Sequence, residues 1–184
     1  MEGEQRREAT EAAGAEGGKT GEEARIRKVV VVVAAVDESD VSLHALSWAI
    51  DHLLKSAANT LVLLHAQRAI DHFIYPAAGH AVYATTSVLV SIKKAQEENS
   101  RNVISRAMQI CREKQVDAKT AIVDGDAKEV ICQAAEQMQA DLLVVGSRGL
   151  GTIKRTFLGS VSDYVAHHAK CPVLIVKPPK ENHQ

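Results

Sequence analysis

The hydrophobic pattern changes character once, near residue 26. Residues 1 to about 25 are mostly Glu, Gly, Ala, Arg and Lys, with almost nothing to bury. Such a segment cannot offset its ordering entropy, so a disordered tail is expected over 1–25. From Ile26 onward, short aliphatic runs alternate with stretches whose apolar residues fall three and four apart. The run Val29–Val36 belongs to a first predicted strand, Lys28–Asp37. Leu43, Leu46, Ile50 and Leu53 recur at helical spacing and predict a helix over Val41–Leu54. A second strand is predicted at Thr60–His65. An irregular stretch follows over Ala66–Thr86, holding Tyr75-Pro76 and Gly79, and then a long helix over Val88–Lys114. A third strand is predicted at Lys119–Val123. Asp126, with Glu129 three residues on, opens a helix expected to bury Val130, Ile131, Ala134 and Met138. The fourth strand, Leu142–Gly146, runs into a glycine-rich loop and a short helix starting near Ser160. The fifth, Val173–Val176, stands behind Pro172, a residue suited to a strand start.

Strands alternating with helices predict an α/β fold with a five-stranded parallel sheet and helices on both faces. Right-handed crossovers leave few arrangements, of which 3-2-1-4-5 is the expected strand order. One domain is expected over 26–179, with 180–184 as a short C-terminal tail. In open sheets of this class, ligands sit at the carboxyl ends of the strands where the order reverses. Here that point lies between strand one, ending at Asp37, and strand four, ending at Gly146.

Composition narrows the function classes. Of 184 residues 46% are hydrophobic but only 3% aromatic, so the core is aliphatic, as buried parallel strands require. A net charge of −1 with interspersed signs gives no basic patch, so nucleic acid is not an expected partner. No run reaches the ~18 apolar residues that span a bilayer, so no membrane is expected either. The three cysteines, Cys111, Cys132 and Cys171, are odd in number and lack metal-ligand spacing, which favours a reducing, cytoplasmic setting. His167 and His168 are adjacent and point apart on a helix, so no metal site is expected. Trp48 reads as core, His65 as a packed histidine at a strand end, and Cys171 as a small buried hydrophobe.

The candidate chemistry lies in GSRGLGTIKRTFLGSVSD, which runs from Gly146 to Asp163. Gly146, Gly149 and Gly151 open the loop, and Gly159-Ser160 close it onto a helix. Glycines permit positive φ and close backbone approach, and successive N–H groups form anion nests. Ser160 with Asp163 three residues later resembles a capping box, and a helix N-terminus favours phosphate. Arg148, Lys154 and Arg155 add positive charge. The plainer reading is a surface loop with glycines for turns; its place at the switch point favours phosphate. Other phosphate motifs fail. No G-x-x-x-x-G-K-[ST] string occurs, and strand one is followed by Glu38-Ser39-Asp40 rather than by a dinucleotide-binding glycine fingerprint.

The spacing Gly146-x2-Gly149-x9-Gly159-Ser160 resembles the nucleotide-binding pattern of the universal stress protein family. AVDESDVSLHALSWAIDHLL, LVLLHA and DLLVVGSRGLGTIKRTFLGSVSDYVAHHAKCPVLIVKP are also similar to segments of its plant members, covering roughly Val29 to Pro178. The resemblance implies a Rossmann-like or flavodoxin-like sandwich, a homodimer, and, in the branch with the full glycine pattern, ATP or AMP binding. It implies that Asp37 faces the ribose or adenine and that Ala66 meets the adenine through its backbone. Gly146, Arg148, Gly149, Gly159, Ser160 and Val161 would surround the ribose and phosphates. The chain departs from the pattern at Glu38, often glycine in the family, which adds a negative charge near the site.

A nucleotide sensor or switch in stress signalling is the leading expectation. The alternatives are a slow ATPase, with Mg2+ bridging the phosphates, and a nucleotide-independent chaperone or interaction protein. No activated nucleophile, nucleophile elbow or carboxylate pair is legible, which weighs against an enzyme. Strand five would be an uncharged aliphatic edge, a pairing hazard that a second copy would cover as a two-fold dimer.

Overall fold

The computed structural model describes residues 30–54, 59–69, 75–77, 80–82, 85–148 and 158–178. The expected tails and the loop residues Gly149, Gly151, Lys154 and Arg155 lie outside these.

Five parallel strands form the main sheet: β1 (Val31–Ala35), β2 (Thr60–Gln67), β5 (Ala118–Asp124), β6 (Leu142–Gly146) and β7 (Val173–Val176). Their order is β5-β2-β1-β6-β7, which is the expected 3-2-1-4-5. Registers run Val33↔Val62, Val33↔Leu143 and Val144↔Leu174. The remaining strands, β3 (Tyr75–Ala77) and β4 (His80–Val82), form a separate antiparallel hairpin within the segment predicted to be irregular.

The aliphatic runs reflect burial on both faces. Val32, Ala34, Leu61, Leu63 and Val144 point to one side. There they meet helices α1 (Asp40–Leu53) and α2 (Thr86–Glu113) through Leu46, Ala49, Val103, Ala107 and Cys111. Val33, Val62, Leu64, Leu143 and Val145 point to the other side. There they meet α3 (Ala127–Gln137) and α4 (Ser160–His168) through Ile131, Ala134, Ala135 and Val165. Side chains that alternate about a pleat and are covered on both faces must all be apolar, so period-2 polarity disappears. At about 25 cal/mol per Å² of apolar area removed from water, these layers dominate the stability.

Helix faces shift slightly from the periodicity. Leu43, Leu46 and Ile50 are buried as expected, but Leu53 is 36% exposed and Leu54 is buried instead. In α3 the buried set is Ile131, Ala134 and Ala135, with Val130 half-buried. Trp48 packs against the first core cluster and stacks on His52 at 4.2 Å between ring centroids. His65 is buried, and its Nδ1 lies 2.9 Å from the Val36 carbonyl, so that nitrogen carries the proton. The packed-histidine reading therefore holds.

Asp126 is the N-cap of α3, as expected, and accepts from the Lys128 amide. Just before it, Gly125 has φ +142°, and a Cβ there would lie 2.5 Å from Val130 Cγ1. Gly125→Ala therefore combines backbone strain with a clash and should cost about 1–3 kcal/mol. Denaturant unfolding should show a lowered midpoint with the slope unchanged.

Candidate functional site

The connection after β1 leads to α1 on one face of the sheet, and the connection after β6 leads to α4 on the other. Between these neighbouring strand ends lies a cavity of about 430 Å³. Its walls include Asp37, Ala66, Gly146, Arg148, Gly159, Ser160 and Val161. Of the residues that the resemblance assigns to the nucleotide, Gly149 is missing from this group; like Gly151, Lys154 and Arg155 it falls outside the described residues.

Asp37 is held by its neighbours. Its Oδ1 accepts from the Ser39 amide at 3.0 Å and from the Ser39 hydroxyl, a turn in which an aspartate bonds the backbone two residues on. Ser39 is the N-cap of α1 and accepts from the Ser42 amide at 3.2 Å. Capping thus falls to Ser39, and Asp37 Oδ2 has no hydrogen-bond partner among the described residues. Glu38 does not wall the cavity. Its carboxylate accepts from Asn99 Nδ2 on α2, so the extra negative charge is drawn away from the site.

Two backbone features at the β6 end differ from the sequence expectation. Gly146 and Gly159 do not take up positive φ. A Cβ on Gly146 would lie 3.1 Å from Ser42 N, Val41 C and Val41 Cγ1, so this glycine makes room for the first turn of α1. Its carbonyl accepts from Ser162 Oγ at 2.7 Å, which pins α4 to the strand end. The cap of α4 is Gly159, not Ser160. The Gly159 amide donates to Ser147 O at 2.9 Å, and its carbonyl accepts from the Asp163 amide at 2.9 Å. That long-range bond fixes Gly159 in extended geometry and makes Ser160 the first helical residue. A glycine cap brings no side-chain acceptor. Among the described residues no side chain therefore accepts from the first-turn amides of α4 at the cavity, unlike those of α1 and α3, which have side-chain caps.

The charges are few. Arg148 Nε is buried and has no hydrogen-bond partner among the described residues. Arg68, just beyond the end of β2, also lines the cavity. Asp37 is the one carboxylate among the described lining residues. Among the described residues no three His, Cys, Asp or Glu side chains gather as a metal-binding group. Burial pushes the Cys111 thiol up to about 11, partly offset by Arg112. Burial also raises Cys132 and Cys171. None of the three is poised as a thiolate nucleophile. Ser42, Arg68, Ala127, Ile131 and Ser162 also line the cavity and were not picked out in the sequence. The two serines sit at ordinary third helical positions, and Arg68 carries no motif.

Fold and cavity together define a doubly wound, Rossmann-like α/β protein with its cleft at the switch point. The sequence profile of the Universal stress protein family matches residues 25–177, and the chain belongs to that family. Universal stress protein YxiE of Bacillus subtilis is 33% identical over 146 residues, covering 79% of this chain and 97% of that protein. A crystal structure of a universal stress protein in complex with cAMP is 28% identical, with TM-score 0.57, covering 80% of this chain and 96% of the other. A family member from Arabidopsis thaliana with AMP bound shares the fold at 23% identity and TM-score 0.58, covering 84% of this chain and 95% of the other. Bacterial and plant proteins both match, so the likeness is to the family as a whole. No helix among the described residues is long and apolar enough to cross a membrane.

Gly146 offers a test of the close approach between β6 and α1. The atoms nearest an added Cβ include helix backbone, which yields less readily than a side-chain tip. Gly146→Ala should destabilise by about 1–3 kcal/mol, the usual range for overpacking, read as a lowered melting temperature.

Proposed function

We propose that this chain binds an adenine nucleotide, ATP or AMP, at the switch-point cavity and acts as a nucleotide-responsive sensor or switch in stress signalling rather than as an enzyme. The observation that carries this reading is that one cavity is lined both by the α4 N-terminus, which has no side-chain cap, and by Arg148, whose buried Nε has no partner among the described residues. Free amides at a helix start and a guanidinium both favour phosphate. Gly159, Ser160 and Val161 line the same cavity, and the resemblance adds Gly149, outside the described residues, to the phosphate loop. Asp37, with one oxygen tied to Ser39 and the other without a partner among the described residues, is suited to accept from ribose hydroxyls. Ala66, at the neighbouring strand end, leaves room for a flat base. The relative complexed with cAMP supports an adenine nucleotide as the ligand class.

Mg2+ bound with ATP would rest on the phosphates, because Asp37 is the one carboxylate among the described lining residues. No side chain among the described lining residues is an activated nucleophile, which favours binding over turnover. Titration calorimetry should give saturable ATP or AMP binding, and Arg148→Ala should weaken it about tenfold, or 1.4 kcal/mol. Binding by wild type and Arg148→Ala with equal affinity would remove the phosphate assignment. Turnover of bound ATP, lost in Asp37→Ala, would move the reading to a slow ATPase.

The protein is further proposed to be a homodimer paired through β7. This strand is a sheet edge, and Leu143 N and Ser147 N donate to its Pro172 and Val176 carbonyls at 3.0 and 2.8 Å. By alternation, the N–H and C=O groups of Val173 and Ile175 face away from β6. A second β7, antiparallel about a two-fold axis, would pair with them. Val176 is buried inside the protomer, so a charge placed there would test folding instead of pairing. Ile175→Pro removes an outward N–H and leaves the bonds to β6 in place. Ultracentrifugation should show a wild-type dimer and an Ile175→Pro monomer that remains folded by circular dichroism. A wild-type monomer at micromolar concentration would end the proposal.

A further inference from the structure

Helix α2 takes part in the site without lining it. Most of its N-terminal half is exposed, with Val88 at 46% and Val90 at 62%. Further along, one face of the helix grips the two chain segments that wall the cavity. Gln96 Nε2 donates to Arg68 O at 3.0 Å, and Ser100 Oγ donates to Gln67 Oε1 at 2.6 Å. These two contacts hold the end of β2 just past Ala66. Asn99 Nδ2 donates to the Glu38 carboxylate. Arg106 forks across the β1–α1 turn, with one nitrogen on Glu38 O at 3.1 Å and the other on Asp40 Oδ1 at 3.0 Å. Residues 96, 99, 100 and 106 recur at helical spacing and so lie along one side of α2.

Arg106 grips the turn that holds Asp37. Glu38 directly follows Asp37, and Ser39, whose amide and hydroxyl orient the Asp37 carboxylate, lies between Arg106's two points of attachment. An exposed ion pair contributes little energy by itself. A guanidinium that spans two points of one tight turn also restricts the turn, and binding geometry is sensitive to such restriction.

We propose that Arg106 and Asn99 are positioning residues for the ligand. They act through the Glu38–Asp40 turn on Asp37, and they couple the cavity to α2. This rests on the nucleotide-binding reading given above. Coupling is reciprocal: if the clamp raises ligand affinity by some factor, the ligand stabilises the clamped arrangement of α2 by the same factor.

The experiment combines calorimetry of AMP or ATP with amide hydrogen exchange on the full chain. Arg106→Ala should lose about fivefold in affinity, in line with the small worth of exposed pairs. Arg106→Lys, which keeps the charge on Asp40, should recover part of that loss. Arg101→Ala, on the same helix and paired only with Glu97 among the described residues, should bind as wild type does. Combined with Asp37→Ala, the Arg106→Ala effect should be less than additive, because both act on one carboxylate. Without ligand, Arg106→Ala should speed exchange of the Ser39 and Ser42 amides and leave the β1 core amides unchanged. A general loss of stability would instead move both sets. Wild-type binding with unchanged affinity in Arg106→Ala, or full additivity with Asp37→Ala, overturns the positioning role and leaves nucleotide binding intact. A wild-type protein that takes up neither nucleotide overturns the functional reading and this proposal together.

Discussion

Burial of a parallel sheet on both faces is the constraint from which the site follows. Each strand must send its connection to one face or the other, because apolar side chains project on both. At β1 and β6, which pair directly, the two connections part: α1 packs with Val32 and Ala34, and α4 packs on the side of Val33 and Val145. Two adjacent strand ends with diverging connections leave a gap that neither helix fills. The cavity is therefore a product of topology, and its lining is whatever the first residues beyond β1 and β6 supply.

Parallel strand–helix units also collect helix N-termini at one edge of the sheet. Ser42 in the first turn of α1, Ala127 at the start of α3, and Ser160 and Val161 at the start of α4 all reach the same cavity. Their partial positive ends would add there, but side chains answer two of them. Ser39 accepts from the α1 amide of Ser42, and Asp126 accepts from the α3 amide of Lys128. Helix α4 begins at a glycine, so its amides have no such acceptor. The α4 N-terminus thus keeps its partial positive end toward the cavity, whose lining also holds Arg68 and Arg148 against the negative charge of Asp37.

How much of this was legible depends on the range of the deciding contact. The five strands follow from aliphatic runs, because burial on both faces leaves a local trace in each, and their order from the few arrangements that right-handed crossovers allow. Asp37, Gly146, Arg148, Gly159 and Ser160 stand out as strand-end and loop residues, Ala66 and Val161 enter only through the family resemblance, and all seven line one cavity. The β3–β4 hairpin was missed because each strand has three residues and one contains Pro76, which resembles a turn. The cap of α4 was placed one residue late because Ser160 has the chemistry of a cap. The deciding bond, from Gly159 N to Ser147 O, closes a loop that local sequence does not reveal. Gly146 looked like a glycine for ligand approach, whereas the contact it relieves is with α1, more than a hundred residues earlier. Gln96, Asn99 and Arg106 drew no attention in the sequence, since nothing local distinguishes a polar residue that meets water from one that meets a distant turn.

The two ends of this architecture are held by different physics. At the centre of the sheet, Val33, Leu63 and Leu143 are fully enclosed, and moving them would open cavities at a cost of kilocalories each. At the carboxyl edge, the turn after β1 and the end of β2 are held largely by polar side chains on an outer helix, each bond exposed or half-buried. Such contacts exchange with water at little net cost, so this rim can shift by small free energies while the core does not respond. A ligand of ordinary affinity has far too little binding energy to rearrange the aliphatic layers, but enough to bias the rim. Any signal that leaves the cavity is therefore expected to travel through α2 and the turns it holds.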